Sequence, residues 1–295
     1  MIQRYLPYLA ASFTGIQVGA ALVASEAVVE TTGAAGLGFW RYLIASIVLI
    51  PFWMVSRKPR ISRNDLGPIS IIGIGQFGLL IAMLNIAVMF AASARVSFIF
   101  ATLPLATLIF ERAKLQINVS RVETAAIVLS VAGITLLLRT DLYAASTSRY
   151  EALGLLAALV ATLTGAICSV FLSPYVRQYG GVQVSLLAML ASLLPLGVVA
   201  GFETSTLPLE NWKQRTELLV FAIGLSSGAG FWCWLYALSK IPAAHVTAFL
   251  GLSPITAILL TIMGTEQRPT LGMVLALALV LGALALLTLA KSGRS

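Results

Sequence analysis

Apolar runs of about twenty residues, each closed by a short polar or basic hinge, recur along the chain. They lie near residues 6–29, 36–55, 67–89, 94–111, 121–138, 152–174, 183–202, 217–239, 244–264 and 270–290. A helix rises 1.5 Å per residue, so runs of this length match the roughly 30 Å hydrocarbon core of a bilayer. Lipid offers no partner to an open peptide group, so each run is predicted to be a helix that satisfies its own backbone. The fold expected is an all-α integral membrane protein of ten transmembrane helices. Its least defined boundary lies around 108–121, where Glu111, Arg112 and Lys114 interrupt the apolar pattern.

The runs repeat. At an offset of 150, Ala11, Thr14 and Gly15 of the first run fall on Ala161, Thr164 and Gly165 of the sixth. Gly78 falls on Gly228, and Ala94, Val96, Ser97 and Pro104 fall on Ala244, Val246, Thr247 and Pro254. The chain therefore divides into two five-helix repeats, 1–141 and 150–291. Five crossings place the second repeat in the membrane upside down relative to the first. Inverted repeats recur in secondary transporters, with the substrate held near the midplane between them.

Composition agrees with lipid as the solvent: 59% of 295 residues are hydrophobic and 10% charged. The net charge of +8 does not point to nucleic acid, because the basic residues sit in the hinges rather than on one face. Arg4, Arg57, Lys58, Arg60, Arg63, Arg112, Lys114, Arg121, Arg177, Lys240, Lys291 and Arg294 fall on one side if the first helix starts there. The positive-inside rule then puts both termini in the cytoplasm of a multi-pass inner (plasma) membrane protein. The first run is long enough to be a retained helix rather than a cleaved signal. Cys168 and Cys233 lie in separate runs with no CxxC partner, so buried thiols are expected rather than a disulfide or a metal site.

Three stretches carry a resemblance: FWRYLIA from Phe39, ASARVSFIFATLPLATLIF from Ala92, and AAHVTAFLGLSPITAILLTIMGTEQ from Ala243. They resemble the EamA family of the drug/metabolite transporter superfamily, whose repeats carry an Arg early in the second helix and a Pro in the fourth. Glu266 stands twelve residues after Pro254, as in that pattern, whereas Gln116 occupies the matching place in the first repeat. The resemblance implies a carrier of amino acids or related metabolites, with export among the directions it allows, needing no cofactor. Its partners would be a small-molecule substrate and the lipid bilayer, and its state a monomer or homodimer.

Polar groups inside a bilayer cost several kcal/mol each, which makes them the first candidates for function. Arg95 and its repeat mate His245 both precede a helix proline by nine residues and would suit a carboxylate or phosphate. Ser97, Thr247, Gln76 and Asn85 are further candidates for the substrate site. Trp232 and Tyr236, four apart and so on one face, are expected to form an aromatic wall with Phe98 and Phe100. Arg41 is expected to pair with Glu26 or Glu30 near the outer end of the first helix, or to gate the outer mouth. Pro104 and Pro254 are expected to bend their helices beside the site. The cavity would then be lined by the first, third, fourth, sixth, eighth and ninth helices.

Rival readings are weaker. Gly73, Gly75 and Gly78 spell GxGxxG without a preceding strand, and Gly224, Ser226 and Gly228 spell GxSxG without a strand-turn-helix elbow. An intramembrane enzyme using Ser226 and His245 is the alternative from another class, and a non-transporting membrane scaffold or sensor is the third.

Overall fold

The computed structural model describes residues 2–56, 59–116, 120–142, 149–203, 212–240, 246, 249–264 and 270–292. His245, Thr247 and Glu266 lie outside the described residues. Among the described residues all regular structure is helical. The first two spans are α1 (Ile2–Thr32) and α2 (Ala34–Val55). The third comprises α3 (Arg63–Gly73), a π-helical segment Ile74–Leu79 and α4 (Leu80–Phe90), and the fourth comprises α5 (Ser93–Phe100) and α6 (Leu103–Leu115). Then follow α7 (Arg121–Leu142), α8 (Arg149–Tyr179), α9 (Gly181–Ala200) and α10 (Gln214–Lys240). A 3-10 turn, Phe249–Gly251, leads into α11 (Leu252–Gly264), and α12 (Leu271–Ser292) ends the chain's described part.

Seven helical stretches, from Tyr5–Thr32 to Gln214–Ala237, are long and apolar enough to cross a membrane, and Phe249–Met263 and Val274–Ala283 are shorter apolar helices. Large side chains such as Met54, Leu194 and Met263 stand more than 70% exposed. An apolar exterior of that kind is stable only in lipid. The protein is a multi-pass all-α membrane protein.

The ambiguous boundary resolves through caps. α6 ends with Gln116 in the left-handed conformation, φ 53°. α7 opens with a capping box in which the Ser120 N–H donates to Glu123 Oε2 (2.8 Å) and the Glu123 N–H donates to Ser120 Oγ (3.3 Å). Arg112 of α6 also donates to the Glu123 carboxylate, so one buried acid joins the end of one span to the start of the next.

We call the face where α1 begins the near face and the opposite one the far face. At the far face α1 reverses into α2 through Gly33 (φ 73°), and at the near face α8 reverses into α9 through Gly180 (φ 88°). Each is a one-residue turn whose positive φ only glycine adopts without strain. These equivalent turns lie 147 residues apart rather than 150, so the second repeat is three residues shorter before its hairpin.

Inter-repeat packing is paired in the same sense. α1 lies along α10, as α8 lies along α4; α1 packs on α11, as α8 packs on α5 and α6; α2 packs on α10, as α9 packs on α3 and the π segment. The remaining contacts, α2 with α9, α5 with α11 and α7 with α12, are each their own mate. Aligned glycines occupy matching crossings: a Cβ on Gly228 would meet Val48 and Ala45 of α2, and one on Gly78 would sit 3.7 Å from Ser192 of α9.

Within the repeats the symmetry fails. The second half of α1 packs on α4, burying Val28, Val29, Leu84 and Val88 at the far face. Among the described residues no comparable packing joins α8 to α10 at the near face. The far-face halves of α1 and α4 are thus packed together.

Candidate functional site

Two polar crossings sit at equivalent places between the repeats. On one, Gln17 of α1 donates through Nε2 to the Ser226 and Ser227 hydroxyls of α10 (3.3 and 3.5 Å). Thr14 Oγ1 beside it donates to the Gly230 carbonyl (3.0 Å). On the other, the Ser169 hydroxyl of α8 donates to Gln76 Oε1 (3.5 Å) in the π segment of the third span. Ser226 is the offset-150 mate of Gln76, so the two related helix pairs, α1 with α10 and α8 with the third span, each carry a glutamine–serine contact. π-helical turns cluster at functional sites because they rotate side chains away from the regular face. Gln76 faces α8, while Asn85, nine residues on and so half a turn round at 100° per residue, faces α2. Asn85 is buried and donates to the Ala34 carbonyl (2.8 Å), tying α4 to the start of α2 rather than facing a cavity.

The prolines do not bend continuous helices. The fourth span breaks at Ala101 and Thr102, and Pro104 stands in the first turn of α6, where its missing N–H leaves nothing unpaired. The Ile99 carbonyl at the break accepts from the Thr102 N–H (3.1 Å) and the Thr102 hydroxyl (2.6 Å). Pro254 sits likewise in the first turn of α11, after the 3-10 turn. Broken spans packed against each other are where inverted-repeat carriers hold their substrates.

Several expected site residues turn out to be engaged elsewhere. Arg95 forms an ion pair with Glu151, joining the far-face ends of α5 and α8. The charge expected for a substrate carboxylate thus already meets a protein carboxylate. Both side chains are about one-fifth exposed, so in a double-mutant cycle of Arg95→Gln and Glu151→Gln we expect a coupling of about 1 kcal/mol. Near-zero coupling would show that the Arg95–Glu151 pair does not hold α5 to α8. Ser97 Oγ donates within its own helix to the Ala94 carbonyl (2.7 Å).

Nor does the aromatic wall form as expected. Phe98 is fully buried with Leu105, Leu108, Ala126, Ala276 and Val280, facing α7 and α12. Trp232 and Tyr236 stack on each other, with centroids 5.9 Å apart, and Trp232 meets Phe52 of α2 at 5.3 Å. With Trp232 38% exposed, this stack lies on the outer surface of the bundle. A different chain of rings runs inside, from Tyr42 to Phe77 to Phe231, with centroids 5.2 and 5.4 Å apart.

Arg41 is not paired with Glu26 or Glu30. Both acids are exposed, and Glu26 Oε2 accepts from the Ser93 N–H (3.1 Å) at the start of α5. Arg41 instead points inward at 9% exposure, with its Nε enclosed and unpartnered and its Cζ 6.0 Å from the Tyr42 ring centroid. Glu30 lines an open recess at the far face with Met89, Phe90 and Tyr150. Ser226, the proposed nucleophile of the enzyme reading, donates to the Ile223 carbonyl (3.2 Å) while accepting from Gln17.

Sequence reading passed over Gln17, Glu123, Glu151 and Glu203. Glu203 lies just past α9 and accepts from the Ala35 and Gly36 N–H groups (2.8 and 3.1 Å) at the start of α2. That signal was findable, since a lone acid near a span end suits a helix N-terminus; its partner helix was not.

The model of the EamA-like transporter family matches residues 6–139 and again 152–289. An uncharacterized transporter of Clostridium kluyveri is 22% identical over 81% of this chain and 78% of its own length. A probable terminal-alkyne amino-acid exporter of Streptantibioticus cattleyicolor is 26% identical over 93% of this chain and 86% of its own. A solved crystal structure, titled only as that of a protein, superposes with a TM-score of 0.67 at 19% identity, covering 95% of this chain and 96% of that one. Two matched segments cover most of the chain, and the relatives are named for transport rather than catalysis: this chain is a membrane transporter and belongs to the EamA-like transporter family.

Proposed function

We propose that the protein is a secondary transporter that moves a small, amino-acid-like metabolite across the inner membrane by alternating access, outward from a cytoplasm that holds both termini. The observation that carries this reading is the paired packing between repeats combined with unpaired packing inside them. Two similar halves of opposite orientation have two equivalent ways to pack. When α1 closes on α4, the far face is shut; the exchanged state closes α8 on α10 and shuts the near face. The basic residues Arg63, Arg177 and Lys240 lie toward the near face, which favours the cytoplasm on that side. The relative named as an amino-acid exporter supports the substrate class and direction.

Counterflow in proteoliposomes tests this. Vesicles loaded with unlabelled L-propargylglycine should transiently accumulate the labelled compound above its equilibrium level, and equal loading with a sugar phosphate should give none. Absence of counterflow across terminal-alkyne, aliphatic and aromatic amino acids, with folded protein, rules out the amino-acid reading. Gln17 and Ser169 hold the two polar crossings on which the halves must turn. We expect Gln17→Leu to slow counterflow about tenfold with a loss of stability near 1 kcal/mol, the usual worth of an interhelical hydrogen bond in a membrane. An unchanged rate would show that the crossing takes no part in the cycle.

A further inference from the structure

We propose that Arg41, with Ser25 at the same depth on the neighbouring helix, forms a buried oxyanion site between α1, α2 and α10 that takes the carboxylate of a small substrate with an apolar body. This rests on the transport reading above and names a part of that site.

Ser25 and Arg41 stand eight residues before and eight residues after Gly33, the turn joining α1 to α2. At 1.5 Å per residue, both lie about 12 Å below the far-face turn on neighbouring antiparallel helices, hence at one depth. Both are buried, and the Ser25 hydroxyl and Arg41 Nε each lack a hydrogen-bond partner. Among the described residues no carboxylate pairs with the guanidinium. Unpartnered buried polar groups are rare because each costs its full desolvation. A guanidinium cannot lose its proton to escape that cost, and in a bilayer an unmatched cation is a functional site by default.

Arg41 lies on the face of α2 that meets α10. One and two turns further along that face, Ile44 and Val48 press against Gly224 and Gly228. Counting from the equivalent hairpin turns, the mate of Arg41 in the second repeat is Ala188, which packs so tightly that a Cβ on Gly73 would come within 2.5 Å of its Cβ. One repeat thus closes this crossing with a methyl group on a glycine, and the other places a long cation there. The neighbouring surface of α10 is apolar, with Val220 and Ile223 buried in the central cluster. A planar guanidinium binds a carboxylate by two parallel hydrogen bonds, with the serine hydroxyl able to give a third. The acid nearest in depth, Glu26, is exposed and accepts from the Ser93 N–H at the start of α5, so the anion alone is read.

The test uses melting temperatures of the purified protein with 4-pentynoate, L-propargylglycine and L-propargylglycinamide. Wild type should be stabilised by both carboxylates and not by the amide. Arg41→Met should lose that response, with at least tenfold weaker apparent binding, and Arg41→Lys should keep part of it. In the absence of ligand, Arg41→Met should melt at or above the wild-type temperature, because it removes an unmatched charge. Ligand-free melting lowered by several degrees would assign Arg41 to the fold and overturn the proposal, as would equal carboxylate responses in wild type and Arg41→Met. A wild type indifferent to both carboxylates also overturns it; if that protein still shows counterflow of any amino acid in the panel, the transport reading stands without this site.

Discussion

Gly15→Ala should lower the melting temperature sharply, although it adds one methyl group to a helix in a lipid-filled environment. A Cβ at Gly15 would lie 2.0 Å from the Phe249 carbonyl oxygen and 3.2 Å from the Leu252 side chain, and one at Gly19 would lie 2.3 Å from the Ser253 carbonyl oxygen. The obstruction is backbone, which has no rotamer with which to yield, so α1 must move away from α11. Overpacking of this kind costs about 3 kcal/mol at its upper end, a large share of a stability of about 5–15 kcal/mol. The measurement is the melting temperature and the monodisperse yield in detergent. Gly67→Ala is the control: nothing lies within 4 Å of its Cβ position, and the change should stabilise α3 by up to about 1 kcal/mol. Equal behaviour of the two variants would refute the close crossing. The GxxxG pair is thereby used within the chain, and a dimer built on it would need α1 to leave α11.

Glu123→Ala should be nearly as damaging. The side chain is 2% exposed and satisfies the Ser120 N–H and the Arg112 guanidinium together. Removing the acid leaves a partly buried cation facing nothing and an open helix start. Breaking a buried pair from one side costs about 3–5 kcal/mol and a lost cap about 1 kcal/mol, and Arg112 at 18% exposure tempers the first figure. We expect a loss of about 3 kcal/mol, with Glu123→Gln milder and Arg112→Met partly rescuing Glu123→Ala. A change within 0.5 kcal/mol would show that the contact contributes nothing.

The candidate site was legible in part. That Arg41 and Arg95 are candidates was readable, because lone cations near the ends of apolar spans are visible in any hydropathy trace. Their partners were not: Glu151 lies 56 residues from Arg95, and pairing depends on which helices meet. The same blindness placed Phe98 in a wall with Trp232 and Tyr236, though Phe98 packs toward α12 while the other two stack on the outside of α10. Helical periodicity says which residues share a face and is silent about what that face touches.

By itself the sequence determined the solvent, the helical class, the ten spans and the repeat. Those follow from chain-local physics: a peptide group in lipid must bond within its own helix, and a run of about twenty apolar residues fixes where that happens. Only the tertiary structure decided that the fourth span breaks before Pro104, that α1 lies against α10 and α11, and that Arg41 turns inward without a partner. Apolar helices present nearly interchangeable surfaces, so helix choice in lipid rests on small residues, single hydrogen bonds and backbone approach at Gly15, Gln17 and Gly73, which acquire meaning only once their neighbours are in place.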